Sequence, residues 1–335
     1  MRKTIISTCA IFILCLAAAL AGTAYIKHSM TRPQGEQGEE VLITIAPGES
    51  FAAAKSKLAQ EGLLHSPRIF TLWARITGKI NRVQAGEFRL NSSWSQARIL
   101  EHLVSGREAL YRLSIPEGLA RWETARIVEN SGLCDSESFL QATENSTLLR
   151  ALDIQAATAE GFLFPDTYFL PRRKQDNASY VLGMLVGRFR LATAGMWEGM
   201  DFQNIRDIVT LASLVEKETA VPEERRRIAG VFVNRLNRGM RLQCDPTVIY
   251  GIKPEFDGNL KKEHLRDPSN PYNTYRHSGL PPGPICSPGL RSLKAALDPE
   301  EHDFLYFVSR RDGSHKFSRT LAEHNQAVRE FQLGR

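Results

Sequence analysis

The sequence predicts an α+β protein in three parts: an N-terminal transmembrane helix, a small α+β module and a C-terminal α+β domain. Three observations predict this. Residues 4–26 are 23 positions without a charge, close to the roughly 20 that carry a helix across a bilayer. A phrase of strand, glycine turn and helix occurs twice, 70 residues apart. From Ile208, apolar residues recur at helical spacing, and the last part ends in a strand, a turn, a second strand and an amphipathic helix.

Residues 1–3 are a short basic tail and 4–26 the membrane helix. Arg2 and Lys3 keep the tail cytoplasmic and put the body outside. A cleavable signal peptide is the competing reading, because Ala19, Leu20 and Ala21 form an A-x-A site. The apolar run continues past that site through Ala24, Tyr25 and Ile26, which favours an uncleaved anchor. Residues 27–40, polar and carrying Pro33, Gly35 and Gly38, read as a linker.

Residues 41–110 form the first module: a strand over 41–45, a turn at Pro47-Gly48, a helix over 51–60 stopped by Gly62, a second strand near 84–89 and a helix over 95–104. This arrangement resembles a LysM-like module, a class that binds glycans. Ile45, Gly48, Leu58, Gly62 and Leu63 correspond to Ile115, Gly118, Val128, Gly132 and Leu133, so residues 111–200 hold a second unit and a connecting region. Within that region EGFLFPDTYFLP, residues 160–171, places Phe162, Phe164, Tyr168 and Phe169 around Asp166; they read as core aromatics, with stacking on sugar rings as the alternative. A basic amphipathic helix follows over 179–192. Residues 201–335 are the C-terminal domain, closed by a buried strand over 304–308, a turn at Asp312-Gly313, a returning strand over 316–318 and a helix over 320–332.

The 335 residues are 42% hydrophobic and 24% charged, which supports folded modules with real cores and excludes a disordered chain. Net charge is +6, yet no zinc-finger spacing or RNP-like aromatic block accompanies it, so nucleic acid is not the partner read here. An anionic envelope accounts for the balance, and the clusters at 171–174 and 225–227 read as solvated faces. Three cysteines, Cys134, Cys244 and Cys286, lie beyond the anchor, enough for at most one bridge. The eight histidines show no metal-ligand spacing, so no metal is expected.

One carboxylate stands out. Ile208, Leu211, Leu214 and Val215 share a helix face, and Glu218 follows the last three by seven, four and three residues. Glu216 points about 160° away from it. A carboxyl among apolar groups loses hydration, and its pKa rises toward the range of a general acid. A solvated, idle residue at the helix end beside Val221 and Pro222 fits the same spacing.

LASLVEKETA (211–220), NRLNRGMRLQCDPTVIYG (234–251), YNTYRHSGLPPGPI (272–285), FLYFV (304–308) and EHN (323–325) stand in this order along the chain. Together they resemble the endolytic murein transglycosylases of the MltG or YceG-like family, from about Val41 to the C-terminus. The resemblance implies an enzyme of the bacterial inner membrane that cuts nascent peptidoglycan glycan strands internally and needs no cofactor. It also implies contact with peptidoglycan synthases. The essential acid it implies is the second Glu of EKE, Glu218. From the same blocks come five candidates for binding the sugar: Gln243 and Asn273 as hydrogen-bonding amides, Tyr250 and Tyr275 as stacking or orienting groups, and Asp245. Asp245 also fits as N-cap of a helix whose first residue is Pro246. His324 and Asn325 are expected to pack or to support the site.

A hydrolase needs two carboxylates, whereas a transglycosylase that forms an anhydro product needs one. The leading expectation is a lytic transglycosylase with Glu218 as acid and then base. The alternatives are a muramidase using Glu218, Asp245 and water, and a non-catalytic glycan-binding scaffold.

Overall fold

The computed structural model describes residues 2–172, 176–253, 256 and 258–334, and of residues 2–10 the backbone alone. The chain divides into two compact units, residues 1–111 with 171–173, and residues 112–170 with 174–335. Of the basic cluster at 171–174, Arg173 and Lys174 lie outside the described residues.

In the first unit, α1 runs from Arg2 to Thr31, and its stretch Ile11–Thr31 is apolar and long enough to cross a membrane. The helix outlasts the expected anchor by five residues, because Met30 is fully buried in the unit's core. The polar segment after it is pinned as well. The Gln34 backbone N–H donates to the Ser93 carbonyl at 2.9 Å, and its side-chain amide donates to the carbonyls of Leu63 and Trp94. These bonds replace the free linker that composition suggested.

The rest of the unit is β1 (Glu40–Ile45), α2 (Phe51–Gln60), α3 (Pro67–Ile76), β2 (Gly86–Asn91) and α4 (Gln96–Ser105). β1 and β2 pair antiparallel, with Ile43 opposite Phe88 and Ile45 opposite Gly86. Alternation along each strand puts Ile43, Ile45, Phe88 and Leu90 on one face, where they meet Leu58, Phe70, Ile99 and Leu103 in a single apolar core. Ser50 and Ser95 cap α2 and α4 by accepting hydrogen bonds from Ala53 N–H and Arg98 N–H.

At the start of the second unit come β3 (Leu110–Ser114), whose first two residues belong to the first unit, α5 (Arg121–Asn130), α6 (Ser136–Glu144), α7 (Ser146–Ala151) and β4 (Thr167–Pro171), with β3 paired to β4. The repeat seen in sequence is a repeat of backbone. Gly48 and Gly118 turn with φ of 75° and 77°, and Gly62 and Gly132 leave their helices with φ of 69° and 74°, a region open to glycine without a Cβ clash. Phe162, Phe164 and Tyr168 are buried, whereas Phe169 is 60% exposed.

After α8 (Asn177–Ala192), the helix α9 (Phe202–Glu218) forms the axis of the unit. Asp201 caps it by accepting Asn204 N–H at 2.8 Å. Thr219 ends it in an extended conformation ahead of Val221 and Pro222. α10 (Arg225–Asn237), α11 (Asp245–Ile252) and α13 (Leu290–Leu297) pack around α9, and the short α12 (Lys262–Arg266) lies in the loop between. β5 (Tyr306–Ser309) and β6 (His315–Ser318) form an antiparallel hairpin through Gly313, and α14 (Leu321–Phe331) packs on both strands.

The cluster Arg225–Arg227 is a solvated face only in part, since Arg226 is exposed and Arg225 is not. Arg225 is buried and reaches Glu216 at 3.6 Å and Ser292 Oγ at 3.1 Å. Arg226 and Arg227 pair with Asp298 at 2.8 Å and Glu300 at 3.0 Å. These guanidiniums brace α10 against the segment that follows α13, which a reading of charge alone does not reveal. Among the described residues, Cys15, Cys134, Cys244 and Cys286 are free thiols.

Candidate active site

The stretch 209–215 of α9 is buried, both of its late carboxylates are partly withdrawn from water, and they are handled differently. Glu216 accepts the Gly289 N–H at 2.9 Å and faces Arg225. Glu218, at the last position of the helix, has no ion-pair partner among the described residues. Its Oε1 accepts a hydrogen bond from the Cys244 thiol, Sγ to Oε1 3.0 Å. Loss of hydration is the largest influence on Glu218, and it raises the pKa. The thiol lowers it, Asp245 raises it, His315 and Arg235 lower it, and the balance is upward. The carboxyl therefore holds its proton to higher pH than an ordinary glutamate.

Glu218 opens onto a cavity of about 520 Å3. Arg235, Gln243, Asp245 and Tyr275 line it beside Glu218, and Tyr306, Ser309, His315, His324, Asn325 and Gln332 line the part formed by the hairpin and α14. Arg235 is buried and oriented by carbonyl acceptors, Nε to Leu305 O at 2.6 Å and NH1 to Leu242 O at 2.8 Å. His315 is held by Glu224, Nδ1 to carboxylate 2.6 Å. His324 stacks on Tyr306 with ring centroids 5.2 Å apart, and both His324 and Asn325 line the cavity itself.

Gln243 reaches the cavity from a left-handed backbone, φ 52°, a conformation that strains a residue with a Cβ and clusters at functional sites. Asp245 is not the N-cap of α11. That position belongs to Cys244, and the Asp245 carboxylate accepts the Tyr275 hydroxyl at 2.6 Å. The partner comes from a loop 30 residues away, so local capping rules have no access to it.

Two candidates lie elsewhere. Asn273 is fully buried; its amide donates to the carbonyls of His264, Leu265 and Asp267, and its side-chain oxygen accepts Tyr275 N–H at 3.0 Å. It closes the loop that carries Tyr275 and cannot reach a ligand. Tyr250 lies on the other side of α11, where it lines a separate cavity of about 190 Å3 with Trp122 and Lys217. Its hydroxyl donates to Glu160 at 3.1 Å. Glu160 itself went unrecognised in the sequence: it is 3% exposed, and burial pushes its pKa up to about 7. Arg235 and His315 also escaped notice, although Arg235 stands inside the 234–251 block.

A mixed α/β protein with an N-terminal apolar helix and a cleft built around one proton-holding carboxyl belongs to the class of acid–base sites. The chain belongs to the YceG-like family, whose model matches residues 43–330. It is 28% identical over 325 residues to the endolytic murein transglycosylase of Bacillus subtilis, covering 92% of this chain and 89% of that protein. It is 27% identical to the endolytic murein transglycosylase of Streptococcus pneumoniae D39, covering 98% of this chain and 65% of that longer protein. The crystal structure of a YceG-like protein from Listeria monocytogenes matches with a TM-score of 0.58 and 28% identity, over 87% of this chain and all of that one.

Proposed function

We propose that this protein is an endolytic murein transglycosylase, a lyase that cuts peptidoglycan glycan strands internally and leaves 1,6-anhydro-muramoyl ends. The observation that carries the reading is Glu218: a carboxyl with no ion-pair partner among the described residues, its pKa raised by burial, facing a cavity of about 520 Å3. Protonated Glu218 gives its proton to the glycosidic oxygen while the bond to C1 opens and positive charge develops on the ring. The resulting carboxylate then takes the proton of the muramoyl C6 hydroxyl, whose oxygen closes on C1. One carboxyl completes the cycle, because the first step leaves it ready for the second.

Gln243, Asp245 and Tyr275 share the cavity with Glu218 and serve as substrate-binding groups. The Tyr275 hydroxyl fixes Asp245, and Gln243 offers an amide to an N-acetyl or hydroxyl group of the sugar. A second reading has support in Asp245, a second carboxylate in the same cavity. With water as nucleophile and Asp245 as base, the reaction becomes a muramidase hydrolysis.

Residues 201–335 act in this reading as the catalytic domain. Residues 41–110 act as a LysM-like glycan-binding module, supported by the order strand, two helices, strand, with β1 and β2 antiparallel. The apolar helix holds the protein in the cytoplasmic membrane as a single span, with Arg2 and Lys3 on the cytoplasmic side and the body on the periplasmic side. Peptidoglycan synthases making the nascent strand are the partners this placement suits.

The test is turnover of nascent strands by the Glu218→Gln protein, which keeps shape and loses the proton. Release of fragments falls by a factor of about a hundred or more. Unchanged release overturns the assignment of Glu218, and release by neither protein points to a scaffold.

A further inference from the structure

Cys244 occupies the N-cap of α11, where Ser, Thr, Asp or Asn ordinarily accept a hydrogen bond from the first turn. Its side chain makes no such cap. Its backbone is held on both sides: the N–H donates to Thr274 Oγ1 at 2.9 Å, and the carbonyl accepts from Thr247 Oγ1 at 2.7 Å. Only 2% of the residue is exposed. The thiol thus has one direction in which to point, and it points at Glu218 Oε1, 3.0 Å away. Helix capping does not explain a cysteine here; it packs as a small buried side chain whose polar contact is the carboxyl.

Resting on the transglycosylase reading, we propose that Cys244 is a positioning residue: its S–H holds Oε1 of Glu218 as the acceptor oxygen, so that Oε2 carries the acid proton and later recovers one. In the first step the Oε2 proton passes to the glycosidic oxygen, which leaves C1 with the bonding pair. In the second, the C6 hydroxyl proton passes to Oε2 as the C6 oxygen bonds to C1. The Cys244 proton stays on sulfur throughout, and no oxidant or reductant enters.

A thiol suits this task because it is a weak donor. It fixes which oxygen is free without greatly favouring the anion, whereas a hydroxyl in its place forms a stronger, charge-assisted bond to the carboxylate and favours ionisation. The other charged or titratable groups acting on Glu218 are Asp245, His315 and Arg235, and Tyr275 and His324 share the cavity.

The test compares the full-length protein in detergent with its Cys244→Ser and Cys244→Ala variants on peptidoglycan strands, following kcat/KM against pH. In Cys244→Ser the alkaline limb, where the acid loses its proton, moves to lower pH by about one unit, a tenfold change in the ionisation equilibrium. In Cys244→Ala the limb moves to higher pH and kcat falls while KM holds, because the buried thiol does not touch substrate. The second readout is the infrared S–H stretching band that vanishes in Cys244→Ser. In the parent protein this band moves to lower frequency as Glu218 ionises, since a carboxylate is the better acceptor. A Cys244→Ser profile that overlies the parent's, or a band indifferent to pH across the limb, overturns the proposal. If the products prove hydrolytic instead of anhydro, the transglycosylase reading fails, and the band still decides whether Cys244 holds Glu218.

Discussion

Glu160 makes the stability of the second unit depend on pH in a direction opposite to that of most carboxylates. Its Oε2 accepts the Arg121 N–H at 3.0 Å and the Tyr250 hydroxyl at 3.1 Å, while the other oxygen is buried beside the Gly161 backbone. Burial dominates over the hydrogen bonds from Arg121, Tyr250 and Gly161 and over the charge of Arg121, and lifts the pKa from 4.5 to about 7. The folded carboxyl thus keeps its proton to higher pH than the unfolded one. The stabilisation is complete below the unfolded value and is lost as pH rises through about 7. At about 1.4 kcal/mol per pKa unit, the loss amounts to roughly 3 kcal/mol. Glu160→Gln keeps the shape and removes the titration. The assay is denaturant unfolding of the parent and Glu160→Gln proteins from below the unfolded value of 4.5 to mildly alkaline pH. The difference between their unfolding free energies shifts by roughly 3 kcal/mol in favour of Glu160→Gln across that range. Parallel curves refute the account, because they mean that the carboxyl is hydrated or paired with a cation in the native protein.

Other consequences follow from single contacts. Asn273→Ala removes the side-chain hydrogen bonds to three carbonyls and one N–H and lowers unfolding free energy by about 2–3 kcal/mol; denaturant titration measures it. Gly161→Ala places a Cβ at 2.6 Å from Pro284 and 2.8 Å from Val209 on a backbone with φ of 87°, and depresses the melting temperature at a cost of about 2 kcal/mol or more. Arg235→Lys keeps the cation and loses the fork that binds Leu305 and Leu242 carbonyls, so kcat and stability fall together, the latter by about 1–3 kcal/mol.

The sequence made the helix α9 legible because its signal is local: an apolar face, no Pro or Gly, and a cap at Asp201. The repeat was legible for the same reason, since glycines that must adopt positive φ recur at fixed offsets. α3 carries the same kind of local signal, a strongly amphipathic run opened by Pro67. What stayed hidden depends on chain segments far apart. Asp245 meets Tyr275 across 30 residues, and Tyr250 meets Glu160 across 90. Asn273 and Gln243 are both amides in family-like blocks, yet one closes a loop and the other faces the cavity. Only the packing around α11 separates Tyr250 from the Glu218 cavity, since helix periodicity leaves its orientation toward either side open.

The central claim is that Glu218 works alone, with the sugar's own hydroxyl as nucleophile. The measurement that meets it most directly is mass spectrometry of muropeptides released by the full-length protein in heavy-oxygen water, beside Glu218→Gln. The account predicts fragments lighter by one water than hydrolytic products, with no heavy oxygen at the new end, and none from Glu218→Gln. Fragments that carry heavy oxygen at C1 contradict it and transfer the nucleophile's role to water activated by Asp245.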